Sequence, residues 1–171
     1  MVQKNSNPPH KAAIRALEAF SRHGVPYVIV GGAALALHGI PRTTLDVDIV
    51  IPAETQAIIK VFRVAKLIGL KSRQAKILTL AEKPNLVTGQ WVSFEDRRKR
   101  QLIDVFFEKE KQFQKLYSRS VERKGRKITF HVASLSDIEK MKKASGRPID
   151  LADVALIREV KKIRRLKSKN S

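Results

Sequence analysis

Three aspartates lie inside apolar segments, where an ionised side chain needs a specific reason to be present. Asp46 and Asp48 belong to the segment 45–51, and Asp104 belongs to the segment 102–107; both segments have the composition of β-strands. Because side chains alternate along a strand, Asp46 and Asp48 share one face, about 6–7 Å apart. Like charges this close repel unless a cation or hydrogen-bond donors compensate them. The three carboxylates therefore indicate a divalent-cation site suited to phosphoryl or nucleotidyl transfer.

A pair of glycines precedes the first two aspartates, with thirteen residues in between. Gly31 and Gly32 follow the apolar run 25–30 and precede an alanine- and leucine-rich segment, which places them between a strand and a helix. Glycine lets the backbone approach a phosphate, and a helix N-terminus supplies N–H donors and a favourable dipole. Alone, the pair would be an ordinary strand-to-helix turn; the spacing to Asp46 and Asp48 favours phosphate binding.

The rest of the sequence supplies the elements that must position these groups. Apolar residues at helical spacing predict helices, and short β-branched and aromatic runs predict strands. The predicted strands are 25–30, 45–51, 90–94, 102–107 and pieces around 125 that end at 132. The predicted helices are 12 to about 24, 33–38, 53–68, 109–118, and a C-terminal pair that opens with the capping pattern 134–137 and breaks at 146–148. This order indicates a mixed α/β or α+β domain.

The composition fits a globular protein with polyanionic partners. Of the 171 residues, 43% are hydrophobic and 30% are charged, and no apolar run approaches the roughly 18 residues of a membrane span. The first residues lack the apolar stretch of a secretory signal, and there is no cysteine for disulfides, zinc thiolates or a thiol nucleophile, so we expect a cytoplasmic protein. The formal net charge is +19, and the excess is concentrated in 97–127 and 140–171.

The glycine pair, the spacer, the Asp-x-Asp pair and the later aspartate together resemble the pattern of the nucleotidyltransferase superfamily of DNA polymerase β and kanamycin nucleotidyltransferase. Within it, the chain is similar to the small bacterial and archaeal nucleotidyltransferases that include AbiEii-type toxins, over roughly residues 12–160. The motifs that carry this closer resemblance are Val30-Gly31-Gly32-Ala33-Ala34, His38-Gly39, Arg42-x-Thr44-x-Asp46-x-Asp48 and Met141-Lys142-Lys143-Ala144-Ser145-Gly146-Arg147-Pro148-x-Asp150-x-x-Asp153.

The resemblance implies a catalytic role for each of the three aspartates. Asp46 and Asp48 would bind Mg²⁺, and Asp104 would bind metal and help the acceptor hydroxyl to lose its proton. Two Mg²⁺ ions are expected, with Mn²⁺ as the alternative. The resemblance also implies a nucleotidyltransferase-like mixed sheet flanked by helices. We expect one domain over 1–171, with a core at about 10–133, a C-terminal helical segment at about 134–167 and a basic disordered tail at 168–171.

The same resemblance implies that residues from both ends of the chain bind the nucleotide. Gly31 and Gly32 would contact a nucleoside triphosphate such as ATP, and Arg42 would reach phosphate oxygens as a bidentate donor. Lys142 and Arg147 would act from a C-terminal helical segment that closes over the nucleotide.

Some of these residues have an alternative interpretation in the sequence. A structural ion pair of Arg42 with Asp46 or Asp48 is about as well supported as a role in phosphate binding. The two aspartates could also cap a turn or pair with Arg42 and Lys60, but this would leave Asp104 unexplained.

Four further residues have side chains that could act on a ligand, and we expect structural roles for all of them. His38 would bond the last carbonyls of its own helix, and His131 would be structural within an apolar strand. Trp91 and Phe94 would pack in the core rather than stack on bases.

The leading hypothesis is a metal-dependent nucleotidyltransferase that transfers NMP from an NTP to an acceptor hydroxyl and releases pyrophosphate. The charge makes an RNA 3′ end, such as that of a tRNA, the first acceptor to test. A basic stripe would hold its backbone together with the turn 97–100, although a solvated helix face is the alternative. The stripe consists of Arg158, Lys161, Lys162 and Arg165.

Two other functions compete with this hypothesis. The same chemistry could belong to the toxin of a toxin–antitoxin pair, whose acidic partner would bind the basic surface. The fold could also serve as a non-catalytic nucleic-acid-binding module. Ala33 stands where many active relatives have serine, which is compatible with a non-catalytic module. The presence of Asp46, Asp48 and Asp104 argues against such a module.

Overall fold

The computed structural model describes residues 9–42, 44, 46–125 and 128–169. A seven-stranded mixed sheet is flanked by helices, which confirms the expected fold class. The helices are α1 (Pro9–Arg22), α2 (Gly31–Leu37), α3 (Thr55–Leu67), α4 (Pro84–Val87), α5 (Glu110–Ser118), α6 (Leu135–Ser145) and α7 (Pro148–Lys169), with a 3-10 helix at Ala75–Leu80. The strands are β1 (Val28–Val30), β2 (Val47–Pro52), β3 (Lys71–Ser72), β4 (Trp91–Glu95), β5 (Gln101–Glu108), β6 (Val121–Lys124) and β7 (Thr129–Val132).

The sheet has one covered face and one open face. The strand order is β3-β4-β5-β2-β1-β7-β6, with β2 parallel to β5, β1 parallel to β7 and the other neighbours antiparallel. Helices α1, α3 and α5 contact β2 and β5 and cover the apolar face. Phe62 of α3 meets Phe94 of β4 there edge to face, with ring centroids 5.3 Å apart. The opposite face of β2 and β5 carries Asp48 and Asp104 together with Val50 and Phe106.

Two central strands position the three aspartates. The alternation in β2 sends Val47, Ile49 and Ile51 into the core, so Asp48 lies on the opposite face. The alternation in β5 does the same for Asp104. Helix α2 separates β1 from β2, so the chain leaves the sheet at Gly31 and returns to it at Val47, one residue before Asp48.

The element boundaries differ from the predicted ones in several places. β1 is three residues long and α2 already begins at Gly31, so the glycines form the first turn of the helix rather than a linker before it. The unassigned segment 71–89 contains a short edge strand and two short helices. Ser134 caps α6 by accepting from the Asp137 N–H, as its pattern predicts. α7 begins at Pro148 rather than near 150 and continues to Lys169, so 168 and 169 of the expected tail are helical.

Several predicted features lie outside the described residues: Leu45 at the start of the second strand, 126–127 near the last strands, and 170–171 of the tail. Within the part of the chain that the structure describes, none of the helices has both the length and the apolar character needed to span a bilayer.

Candidate active site

Asp48 and Asp104 are direct neighbours on the open face of the sheet. β2 and β5 are parallel, and their register places Asp48 opposite Asp104. Asp46 lies just before β2 on the same side, where the Thr44 hydroxyl is 2.8 Å from its carbonyl oxygen and 3.1 Å from its carboxylate. Three carboxylates from two strands thus face one space, as the alternation in each segment predicts.

The first glycine of α2 packs directly against Asp48. Gly31 has a φ of +66°, a conformation that favours glycine, and a Cβ at this position would collide with the Asp48 carboxylate. The next glycine, Gly32, has room for a side-chain carbon beside Thr44. The requirement for glycine at residue 31 is therefore set by the backbone conformation and by Asp48 together.

Gln101 is a site residue that the sequence reasoning missed. Its side-chain amide donates to Asp46 at 3.1 Å and to both carboxylate oxygens of Asp104 at 2.9 and 2.8 Å. The amide nitrogen therefore lies between two carboxylates that come from different strands. An uncharged glutamine at the start of a strand gives no sequence signal for such a role.

The aspartates of the sheet are only partly compensated, by the charges of Lys142 and Arg147 at Asp48 and of Arg73 at Asp104. Burial, together with the charges of Asp46 and Asp104, raises the pKa of Asp48 to about 6. Burial and the charge of Asp46 also raise the pKa of Asp104, against hydrogen bonds from Ser93 and Gln101 that lower it. A positive charge placed between these carboxylates would relieve both effects.

The opposite wall of the site is an ion-pair network between α6 and α7. Lys142 is buried and contacts Asp150 at 2.9 Å and Asp153 at 2.7 Å. Arg147 contacts Asp150 at 2.6 Å and keeps 70% of its side chain exposed. Arg42 lies 3.5 Å from Asp153, so its carboxylate partner is on α7 and is neither Asp46 nor Asp48. Lys60 donates to the Gly24 carbonyl instead.

All eight sequence-predicted site residues line one cleft of about 640 Å³ between the open face of the sheet and α6/α7. They are Gly31, Gly32, Arg42, Asp46, Asp48, Asp104, Lys142 and Arg147. The structure thus brings together residues up to 116 positions apart in the chain. Their individual roles in binding and catalysis stay predictions.

The donor set of the cleft fits a divalent cation after one local change. Carboxylate oxygens are the ligands that Mg²⁺ and Mn²⁺ prefer. In the described ranges, no three Asp, Glu, His or Cys side chains already converge tightly enough to hold an ion. The Gln101 amide stands between Asp46 and Asp104, where a cation would have to bind. Rotation of that amide would leave carboxylate oxygens on both sides of the vacated position.

Two of the four side chains given structural roles need a correction. His38 ends α2, but its Nε2 bonds the Ala133 carbonyl at 2.8 Å rather than the carbonyls of its own helix. Trp91 is 50% exposed, so its expected place in the core is wrong, whereas Phe94 is buried as expected. His131 bonds Tyr117 and Ser120, which fits its structural role.

The basic stripe of α7 is partly neutralised by one acidic residue. Arg158 and Lys161 both pair with Glu139 of α6 at 3.0 Å. These contacts lower the pKa of Glu139 to about 2, through hydrogen bonds from Lys143, Arg158 and Lys161. Half of the stripe thus helps to hold α7 against α6.

The family of the chain follows from its sequence. Residues 12–164 match the model of a family described as nucleotidyltransferase of unknown function, DUF6036. The chain belongs to this nucleotidyltransferase family. The match includes every residue of the cleft, from the glycines of α2 to the ion pairs of α7. No protein of curated function matches the chain by sequence.

Solved structures show the same fold. A candidate nucleotidyltransferase from Thermotoga maritima is similar with a TM-score of 0.57 and 11% identity, over 93% of this chain and 92% of that one. An antigenic nucleotidyltransferase-like protein from Paracoccidioides brasiliensis is similar with a TM-score of 0.50 and 16% identity, over 89% of this chain and 76% of that one. At these identities the likeness concerns the fold alone, and it agrees with the family.

Proposed function

We propose that this nucleotidyltransferase is metal-dependent and transfers NMP from a nucleoside triphosphate to an acceptor hydroxyl, with release of pyrophosphate. The observation that carries the proposal is the in-register pair of Asp48 and Asp104, joined by Asp46 and packed against Gly31. Nothing in the fold requires adjacent carboxylates on two central strands, and burial together with the charges of Asp46 and Asp104 raises the pKa of Asp48. Such an arrangement serves a cation-dependent reaction better than it serves stability.

The carboxylates of the sheet would hold the reacting groups. Asp46, Asp48 and Asp104 would bind Mg²⁺ or Mn²⁺, which supplies charge neutralisation at the phosphates and aligns the attacking and leaving oxygens. Asp104 would accept the acceptor proton, as the resemblance implies, and burial raises its pKa and so makes it a stronger base than an exposed aspartate. The acceptor oxygen forms a bond to the α-phosphorus while the bond to the β-phosphate oxygen breaks, and pyrophosphate leaves.

The backbone and the arginines would bind the triphosphate. Gly31 and Gly32 form the first turn of α2 and line the cleft, and Val30 provides no side-chain cap for the N–H groups of this turn. Arg147 keeps most of its side chain exposed at the cleft and is available to phosphate oxygens. Lys142 and Arg42 would act mainly by holding the α7 wall, since their charges already face Asp153.

The net charge of +19 favours RNA as the acceptor. The test is transfer of label from each α-labelled NTP, with Mg²⁺, to total RNA. The double variant Asp46→Asn/Asp48→Asn should reduce incorporation by at least about a hundredfold. Glu82→Gln/Glu159→Gln changes the net charge equally at exposed positions and should leave incorporation unchanged.

The outcomes separate the transferase from its competitors. Incorporation by the wild type and the charge control, but not by the aspartate variant, supports the proposal. Metal-dependent NTP binding without labelled RNA keeps the transferase and excludes RNA as its acceptor. Absence of both transfer and metal-dependent NTP binding overturns the proposal in favour of a non-catalytic module.

A further inference from the structure

Two aromatic side chains continue the open face of the sheet beyond the carboxylates. Trp91 of β4 pairs with Phe106 of β5, and two residues along each strand Ser93 pairs with Asp104. Directly paired residues in antiparallel strands share a face, and residues two apart in one strand do so too. The aromatic pair therefore lies on the face that carries Asp104, about 6–7 Å from it along the strand.

These two side chains are exposed although their neighbours are buried. Trp91 is 50% exposed and Phe106 is 38% exposed, whereas Ser93 is 4% exposed and Val92 and Val105 are fully buried. Burial of these aromatic side chains would stabilise the fold, so their exposure has a free-energy cost. Phe106 also lines the cleft together with Asp48 and Asp104. The pair thus exposes aromatic surface beside the candidate active site, and Phe106 opens onto it.

We propose that Trp91 and Phe106 form a stacking platform for the unpaired terminal base of a single-stranded nucleic-acid acceptor, whose 3′ hydroxyl lies at Asp104. The proposal rests on the nucleotidyl transfer proposed above. Aromatic side chains bind any base through its π-face, without reading the sequence. The platform would hold the end of the nucleic acid while basic side chains elsewhere on the protein bind its phosphates.

The charge around the platform favours a polyanion over a second copy of this chain. Arg73 is close enough to Asp104 for its charge to lower the pKa of that carboxyl, and half of its side chain is exposed although it pairs with Glu95. The turn 97–100 joins the same two strands at the far end of the hairpin, beyond Asp104 as seen from the platform. It carries four more basic residues, of which Arg100 pairs with Asp96. Two copies of a chain with a net charge of +19 would repel each other.

Trp91 is the only tryptophan of the chain, so its fluorescence reports on the platform alone. The probes are a single-stranded RNA octamer, the DNA octamer of the same sequence and a blunt-ended RNA duplex, without NTP or metal. Both single strands should quench Trp91 saturably, and a difference between them shows whether the 2′-hydroxyl contributes. The duplex should quench it little, because its end bases are already stacked and paired.

Variants test whether stacking contributes to affinity, measured by anisotropy of the labelled octamer. Trp91→Leu and Phe106→Leu should each weaken binding about five- to hundredfold, and Trp91→Phe should restore most of it. Leu67→Ala removes apolar surface that is 67% exposed on α3, and should leave binding unchanged. Thermal unfolding of each variant checks the fold.

The result distinguishes failure of the platform from failure of the transfer. Quenching and stacking-dependent affinity without transferase activity support the platform and contradict the reaction. Transfer to RNA with unchanged affinity and KM in both leucine variants overturns the platform and keeps the reaction. Equal quenching by free NTP, or quenching that grows with protein concentration alone, also overturns it in favour of the donor base or a second copy.

Discussion

Two groups of carboxylates form opposite walls of the same cleft and are compensated in opposite ways. On α7, Asp150 and Asp153 both contact buried Lys142, and Asp150 also accepts a hydrogen bond from Arg147. On the sheet, the side chains of the described residues that donate hydrogen bonds to Asp104 are the neutral Gln101 and Ser93. Asp48 lies directly beside Asp104.

The pKa values show the consequence of this difference. Hydrogen bonds from Arg147 and Lys142 hold the pKa of Asp150 far below its usual range, so its charge stabilises the folded state. Burial and the neighbouring carboxylates raise the pKa of Asp48 to about 6, so its charge destabilises the folded state. The α6/α7 wall is a structural support, and the sheet wall is suited to binding positive charge from outside the chain.

The largest expected effect comes from breaking the compensated wall. Lys142→Met leaves Asp150 and Asp153 buried without their shared cation and should lower the free energy of unfolding by about 3–5 kcal/mol. Arg147→Met is the control: its side chain is mostly exposed, and the loss should stay below about 1 kcal/mol. Urea unfolding measures both, and equal losses would show that burial of Lys142 contributes nothing.

The contact between Gly31 and Asp48 can be tested by adding a single methyl group. Gly31→Ala should cost about 2–3 kcal/mol of stability, because φ is positive and the new Cβ meets the carboxylate. Gly39→Ala has φ +80° but open space around it, and should cost about 1–2 kcal/mol. The difference between the two unfolding free energies isolates the steric contact. Equal costs would contradict its importance.

Removing one negative charge from the sheet wall should stabilise the fold. Because the pKa of Asp48 is higher in the folded state than in the unfolded state, its ionisation reduces stability as pH rises from about 4 to 6. Asp48→Asn should therefore raise the free energy of unfolding by about 1–2 kcal/mol at pH 7.5, with no gain near pH 4.

The control for this prediction has the opposite sign. The pKa of Asp96 is lowered despite desolvation, by hydrogen bonds from Arg100 and from the backbone of its turn. Asp96→Asn should therefore lower stability at pH 7.5. Denaturant midpoints at pH 7.5 and 4.5 measure both variants, and destabilisation by Asp48→Asn at pH 7.5 would contradict the comparison.

The smallest expected effect concerns the neutral donor on the sheet wall. Gln101→Ala removes the amide between Asp46 and Asp104 and should cost about 1 kcal/mol without divalent cations. With saturating Mg²⁺ the difference from the wild type should shrink, since the amide and the cation compete for the same oxygens. Thermal melts with and without Mg²⁺ measure this, and a loss that grows with Mg²⁺ would contradict it.

Much of the candidate site could be predicted because its signals are local. Apolar residues on both sides of Asp48 and Asp104 identify buried strands, and strand alternation fixes the face of each carboxylate. The Ser134 cap of α6 and the break at Gly146 are local signals too, and both are found in the structure. The exposure of Trp91 was predicted wrongly, because alternation does not say which face of a strand is covered.

The sequence by itself determined the two central strands, the glycine pair before the aspartates, the family and eight of the residues at the cleft. Only the tertiary structure decided which of these charges neutralise one another. Arg42 pairs with Asp153 across 111 positions, and Gln101 bridges carboxylates of two strands. The reason is physical: hydrophobic periodicity specifies a face within one element, whereas charge compensation depends on distances between elements that the packing of the whole domain sets.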